Sequence, residues 1–201
     1  MTHQTEALPR PADGDRPEHK ILSYARLGKL DVFDYYLSIV VVLSAVVLPV
    51  AQFGVAESGT LAVFLLGEIL MMMALVAFDD LTGFRDGSDL VNYGPDNPRR
   101  KKLRKPLVAG TLSPREALGF AWVTIALGAV LWGVTMAIAP HRPTWTVVLI
   151  VALLLIAPQY SYGLKISYHG FQEAFLVLLG AALMMAPYGL VTGEFSAFLL
   201  V

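Results

Sequence analysis

The sequence from Leu61 to Asp89, LAVFLLGEILMMMALVAFDDLTGFRDGSD, joins an apolar stretch to a cluster of carboxylates. The apolar part, Leu61 to Phe78, has about the length of the roughly 20 residues that a membrane-spanning helix needs. The chain is 56% hydrophobic and 15% charged, whereas soluble domains average about 25% charged residues. Other apolar stretches of similar length are Tyr35 to Val55, Ala117 to Ile138, Trp145 to Tyr162 and Ala174 to Val191.

These stretches predict an all-α polytopic membrane bundle with about five complete spans. A sixth span begins at Phe195 and is cut off at Val201. The alternative is a large soluble protein with buried helices, and several nearly charge-free stretches disfavour it. The chain has no cysteine, which excludes disulfides, thiolate metal sites and a cysteine nucleophile.

The basic residues indicate the orientation of the chain. Of the 15 Lys and Arg residues, 14 fall in the N-terminal segment, the loop between spans two and three, or the loop between spans four and five. Alternation of the spans places these three segments on one side, and loops rich in Lys and Arg face the cytoplasm. We therefore expect a multi-pass protein of the cell membrane with its N-terminus and the 79–114 loop in the cytoplasm. Residues 1–28 are predicted to be a disordered cytosolic tail, and residues 29–201 to be the transmembrane domain.

Four Asp residues follow the second span within eleven residues. Asp79 and Asp86 are seven residues apart, two turns of helix, so they share a face with Thr82 between them. Asp89 extends that face, whereas Asp80 points about 100° away. Carboxylates gathered at one helix end suit a hard cation such as Mg²⁺, which one or two carboxylates commonly hold together with substrate phosphate oxygens. The alternative is that they only solvate the helix end.

Basic residues follow the acidic cluster. The run Arg99 to Lys102 is best explained as a patch that faces anionic lipid headgroups. Arg104 and Lys105 precede Pro106 and could return to the acidic face, where they would contact a diphosphate. Further on, Ser113 is a candidate N-cap with Pro114 at the first helical position and Glu116 completing a capping box.

A second patch, YSYGLKISYHGF from Tyr160 to Phe171, follows span four. Its Lys165 lies among tyrosines. A Lys with tyrosines at the membrane interface is ordinarily an anchor, so the residues by themselves leave a functional role open.

These motifs together resemble the UbiA-type prenyltransferase superfamily. Its first signature is Asn-Asp-x-x-Asp-x-x-x-Asp at the end of the second helix. Asp79 matches the first Asp and Asp86 the last, whereas Phe78 stands at the Asn position and Thr82 at the middle Asp position. The stretch Lys105 to Ser113, KPLVAGTLS, resembles the family's Arg-Pro-Leu-x-x-Gly-x-x-Ser, with Lys in place of Arg.

The second patch is similar to the family's Tyr-Ser-x-x-x-Leu-Lys loop, with one residue fewer here. In the family this loop offers a basic residue to the diphosphate and a tyrosine to the cavity, and the matching positions are Lys165 and Tyr160 or Tyr162. The resemblance covers about Lys29 to Glu194.

The resemblance implies a nine-helix fold and an activity. The family transfers a prenyl group from an isoprenoid diphosphate to an acceptor that is usually aromatic, within the membrane and with Mg²⁺. Asp79 and Asp86 are then the expected catalytic residues and metal ligands, with Asp80 and Asp89 as candidate helpers. Arg104, Lys105 and Lys165 are expected to bind diphosphate. The expected partners are these substrates and membrane lipids, and no nucleic acid.

Two other classes of membrane protein are alternatives to a prenyltransferase. CDP-alcohol phosphotransferases also place Asp and Gly near a helix end, but Asp86-Gly87 lacks the Ala-Arg continuation of their pattern. A transporter fragment or non-enzymatic membrane protein would more often bury ionisable residues at mid-membrane. The family also needs a second Asp-rich motif after the sixth helix. Because the chain stops inside that helix, we expect it to be truncated and inactive alone.

Overall fold

The computed structural model describes residues 19–30, 54–93 and 104–197. All regular structure in these ranges is helical, as predicted. The seven α-helices described there are α1 (Lys20–Leu27), α2 (Val55–Arg85), α3 (Ser88–Asn92), α4 (Pro106–Ala109), α5 (Pro114–Ile138), α6 (Thr144–Ile156) and α7 (Gln172–Thr192). Two 3₁₀ helices, Ala157–Tyr160 and Ile166–His169, lie between α6 and α7.

Within the described ranges, three helices are long and apolar enough to cross a membrane, and these are α2, α5 and α7. Each contains one of the predicted spans. The predicted span Trp145 to Tyr162 is α-helical only to Ile156. Pro158 has no backbone N–H for the α-helical ladder, and the chain continues there as a 3₁₀ turn.

Helix α2 is longer than its predicted span at both ends. It begins at Val55, after Gly54, whose backbone N–H donates to the Glu57 carboxylate over 2.9 Å. It continues through Asp79 to Arg85, so the first part of the predicted loop is helical. Residues 35–53 of the predicted first span, and residues 198–201 of the predicted sixth, lie outside the described part of the chain.

The core of the bundle is the crossing of α2 and α5. A Cβ on Gly128 would come within 3.1 Å of the Gly67 carbonyl oxygen, so small residues at this point let the two helices approach closely. One turn away, the ring of Trp132 stacks on Phe64 at 5.2 Å between centroids. The Trp132 indole also donates a hydrogen bond to the Phe64 carbonyl over 3.1 Å. Such an interhelical bond satisfies a polar group inside an apolar bundle.

The start of α5 confirms the predicted capping box. Ser113 accepts a hydrogen bond from the Glu116 backbone N–H over 3.3 Å, and the Glu116 carboxylate accepts one from the Ser113 N–H over 2.8 Å. Lys20 of α1 forms an ion pair with the same Glu116.

Helix α1 packs on the bundle at the end where α2 finishes. Leu27 is fully buried against a cluster that includes Phe78 and Leu81, and the Tyr24 ring stacks on Phe120 at 5.4 Å. The residues from Lys20 to Leu27, which fall within the predicted tail of residues 1–28, form a helix with a buried Leu27. Residues 1–18 lie outside the described ranges.

Candidate functional site

The C-terminal end of α2 carries the predicted carboxylates. Asp79 is partly buried and Asp86 is exposed at the C-cap. Gly87 adopts φ of 84°, a conformation that residues with a Cβ rarely take, and this turn starts α3. The Ser88 backbone N–H then donates to Asp86 Oδ1 over 2.9 Å. Hydrogen bonds, chiefly from Ser88 and also from Tyr168, together with the charge of Lys165, hold the pKa of Asp86 below its ordinary value.

Asp80 and Asp89 lie apart from that exposed edge, in a buried ion cluster. Lys105 Nζ is 2.7 Å from Asp80 Oδ1 and 2.9 Å from Asp89 Oδ2, and Lys29 Nζ is 3.2 Å from the same Asp80 oxygen. Asp80 is 1% exposed, Asp89 7% and Lys105 8%. Burial by itself lowers the pKa of Lys105, but its ion pairs with Asp80 and Asp89 outweigh burial and raise that pKa above the ordinary value.

A basic cavity opens beside the ion cluster. It has a volume of about 350 Å³ and is lined by Arg26, Lys29, Tyr93, Arg104 and Lys105. These residues come from three places in the chain: the end of α1, the end of α3 and the start of α4. Four cations line a cavity next to two buried carboxylates, so the surroundings favour an anion.

The loop after α6 is anchored to α2. The Thr82 hydroxyl donates a hydrogen bond to the Ser161 carbonyl over 2.8 Å, and the bond is buried. One turn earlier, the Phe78 ring stacks on the Tyr162 ring at 4.5 Å between centroids. Tyr162 also meets the edge of Trp122 at 6.3 Å. Two side chains of α2 therefore fix the position of this loop.

The anchored loop brings Lys165 and Tyr168 to the exposed carboxylates. Lys165 Nζ lies 5.8 Å from the centre of the Tyr168 ring. Partial burial, the nearby Asp86 carboxylate and the charges of Asp79 and Asp89 raise the pKa of Tyr168 to about 12. Lys165 has φ of 51°, an uncommon value for a residue other than glycine.

Tyr160 occupies a more apolar position. It is 8% exposed, and its ring contacts Phe175 at 5.2 Å. Phe175 also lines an apolar groove of about 270 Å³ between α6 and α7, together with Leu149, Leu153, Ile156, Leu178 and Leu179. Tyr160 therefore contacts a residue that lines the groove, and it lies close enough to Asp79 for the charge of that carboxylate to act on it.

The carboxylates near the end of α2 supply oxygen atoms of the kind that a hard metal ion binds. No group of three or more His, Cys, Asp or Glu side chains that could hold a metal ion occurs among the described residues. Asp80 and Asp89 are engaged by Lys105, which leaves Asp79 and Asp86 as the oxygen donors near the loop. This set fits a Mg²⁺ ion that is shared with substrate phosphates and does not fit a metal held by protein alone.

The family model described as the UbiA prenyltransferase family matches residues 37–201. The chain belongs to this family. No curated protein and no solved structure matches the chain. A UbiA family member is a membrane prenyltransferase in general terms, which agrees with the apolar spans described above.

Within this UbiA family chain, the two departures from the expected signature have a structural role. Phe78 and Thr82 stand where the signature has Asn and Asp, and both contact the loop after α6. The structure brings Lys105 together with Asp80 and Asp89, and Lys165 lies close enough to Asp86 for its charge to act on that carboxylate. Asp79 lies close enough for its charge to act on Tyr160 and Tyr168.

Sequence reasoning missed three residues of the site: Arg26, Lys29 and Tyr168. The first two were interpreted only as topology charges, and no local pattern distinguishes them from other basic residues of the N-terminal segment. Tyr168 lies within the quoted loop, but its spacing from Lys165 gave no sign that it lies near the Asp86 carboxylate.

Proposed function

We propose that this protein transfers a prenyl group from an isoprenoid diphosphate to a lipid-soluble or aromatic acceptor within the membrane, with Mg²⁺. The observation that carries the proposal is the arrangement at the end of α2, which bears Asp79 and Asp86 and to which Thr82 anchors the loop of Lys165. A cavity lined by four cations lies beside the neighbouring Asp80 and Asp89. Membership of the UbiA family supports the same reaction class.

In this proposal, Asp79 and Asp86 hold the metal and the basic residues hold the diphosphate. Lys165 approaches it from the loop, and Arg104 and Lys105 from the basic cavity. An ammonium has three N–H donors, so the pairs with Asp80 and Asp89 leave Lys105 one donor for a bound oxygen. Arg26 and Lys29 add positive charge to the same cavity. When bound, the metal neutralises the diphosphate and improves it as a leaving group.

The remaining chemistry needs an apolar environment. Departure of the diphosphate breaks the bond between the first prenyl carbon and oxygen, and leaves an allylic cation. The aromatic faces of Tyr162 and Trp122 lie next to Phe78, and such faces attract a cation. The apolar groove beneath Tyr160 suits the hydrocarbon tail and excludes water. The acceptor attacks the cation and then loses a proton.

The test is binding of metal and diphosphate to the purified protein. Mn²⁺ replaces Mg²⁺ so that electron paramagnetic resonance reports bound metal, with geranylgeranyl diphosphate as the anion. We expect Asp79→Ala and Asp86→Ala each to remove most of this binding. The double variant should be little worse than either, because groups that act as a unit are not additive.

The matched control is Glu194→Ala, an exposed acid beyond the other end of α7, which should behave as the unmodified protein. Binding at the unmodified level in Asp86→Asn would reject the assignment of Asp86. Metal binding in the absence of any diphosphate, at equal strength, would contradict a shared metal–diphosphate site.

A further inference from the structure

Two side chains of α2, one helical turn apart, hold the loop after α6 at the carboxylate end of that helix. The Thr82 hydroxyl donates a hydrogen bond to the Ser161 carbonyl over 2.8 Å, and the Phe78 ring stacks on the Tyr162 ring at 4.5 Å between centroids. Phe78 is 0% exposed, Thr82 4% and Ser161 1%. Because the hydrogen bond is buried, water cannot substitute for the Thr82 hydroxyl if that hydroxyl is lost.

The backbone between Ser161 and Lys165 is held by further hydrogen bonds. The Leu164 N–H donates to Gln159 Oε1 over 3.0 Å, and the Lys165 carbonyl accepts from the Tyr168 N–H over 2.9 Å. Lys165 has φ of 51°, a conformation that a residue other than glycine keeps only where the surrounding structure holds it. A displacement of Ser161 should therefore be passed along this constrained segment to Lys165.

The side chain of Lys165 can reach a bound anion at this end of α2. Lys165 is exposed, and it lies close enough to Asp86 for its charge to act on that carboxylate. A lysine is a point charge on a flexible stem of limited length. The position of its backbone therefore decides whether the ammonium meets a diphosphate that Asp79 and Asp86 bind through a metal.

We propose that Thr82 is a positioning residue, which holds Lys165 at the metal–diphosphate site through its hydrogen bond to Ser161. The inference rests on the proposed function, because it concerns the same metal–diphosphate site. The Thr82 hydroxyl has a single O–H, and it donates that O–H to the loop. In this chain, the position where the signature has its middle Asp therefore brings a basic residue to the diphosphate.

The experiment compares Thr82→Val with Thr82→Ser, which keeps the hydroxyl. Isothermal titration calorimetry measures the affinity of the purified chain for inorganic diphosphate with Mg²⁺, below the melting temperature of every variant. We expect Thr82→Val to weaken diphosphate binding by about tenfold or more, the effect of losing a hydrogen bond to a charged group. Thr82→Ser should bind as the unmodified chain does. Thr124→Val removes a hydroxyl that bonds within its own helix and should leave the affinity unchanged.

A double-mutant cycle with Lys165→Met separates positioning from a general loss of stability. Lys165→Met should itself weaken diphosphate binding, and Thr82→Val should cause no further loss in that background. Additive losses, or unmodified affinity in either single variant, would overturn the inference and leave the metal site of Asp79 and Asp86 standing. A loss in Thr82→Ser equal to that in Thr82→Val would also overturn it.

The variant Thr82→Asp distinguishes positioning from metal binding. An ionised Asp has no donor for the Ser161 carbonyl, so we expect weaker diphosphate binding. A rise in Mn²⁺ affinity, measured by electron paramagnetic resonance, with unchanged diphosphate affinity would show that this position serves the metal, and would overturn the inference. If the unmodified chain binds neither Mn²⁺ nor diphosphate, the proposed function and this inference fail together.

Discussion

The Thr82 hydroxyl donates a hydrogen bond to the Ser161 carbonyl over 2.8 Å, between residues 79 positions apart in the chain. This bond joins the acidic end of α2 to the loop that carries Lys165. Loss of the donor to a buried carbonyl lowers the free energy of unfolding more than loss of the donor to an exposed one, because water cannot replace the buried bond. The contact therefore links the stability of the loop to the geometry of the site.

Replacement of Thr82 by Val tests this link, since the side chain keeps its shape and loses the hydroxyl. We expect a loss of about 1–3 kcal/mol in unfolding free energy and faster proteolysis within residues 161–171. Thr124→Val is the control, because the Thr124 hydroxyl bonds only within its own helix, to the Phe120 and Ala121 carbonyls. Equal losses in the two variants, measured by thermal unfolding in detergent, would contradict a special role for the Thr82 bond.

Replacement of Lys105 by Met tests the buried ion cluster. It leaves Asp89 without the ammonium and Asp80 with only Lys29 among the ion pairs described here. Removal of one partner of a buried pair costs about 3–5 kcal/mol. Lys165→Met, at an exposed position, should cost less than about 1 kcal/mol. A smaller loss for Lys105→Met than for Lys165→Met would show that the cluster is not stabilising.

The same variant predicts a pH dependence. The folded-state pKa of Lys105 is raised, so its contribution is fully present below the ordinary lysine pKa of about 10.4. It is lost only as the pH rises above that value. The stability difference between the unmodified chain and Lys105→Met should therefore stay constant between about pH 6 and pH 9. A decline across that range would mean that Lys105 titrates earlier.

Replacement of Gly83 by Ala tests the packing of Asp89 on α2. An added Cβ would lie 2.8 Å from Asp89 Oδ2, which pushes the carboxylate away from Lys105. We expect a destabilised protein, although Gly→Ala within a helix ordinarily stabilises by about 0.5–1 kcal/mol. Gly119→Ala in α5 is the control, because nothing lies within 4 Å of its Cβ position. Stabilisation of both variants to the same extent would contradict the contact.

The predicted orientation is tested at Asn92, an exposed residue at the end of α3. The chain has no cysteine, so Asn92→Cys introduces a single thiol. A membrane-impermeant maleimide should fail to label intact cells and should label them after permeabilisation. Labelling of intact cells would reverse the topology.

The helices, and the carboxylates at the end of α2, could be predicted because their signals are local. Apolar length marks the spans that contain α2, α5 and α7, and the capping box at Ser113 and Glu116 marks the start of α5. The seven-residue spacing of Asp79 and Asp86 follows from helix periodicity alone. The predicted span Trp145 to Tyr162 extends past the end of α6 at Ile156. The apolar run continues beyond that residue, whereas Pro158 lacks the backbone N–H that an α-helix needs.

The sequence by itself determined an all-α membrane protein with carboxylates and basic residues at the end of one span. Only the tertiary structure decided that Asp80 and Asp89 are buried against Lys105, and that Thr82 of α2 bonds to Ser161 of the loop after α6. The physical reason is that a carboxylate is buried or exposed according to the partners that reach it. Lys105 lies 25 residues from Asp80, and the loop reaches α2 across a whole helical hairpin, so no local spacing encodes either contact.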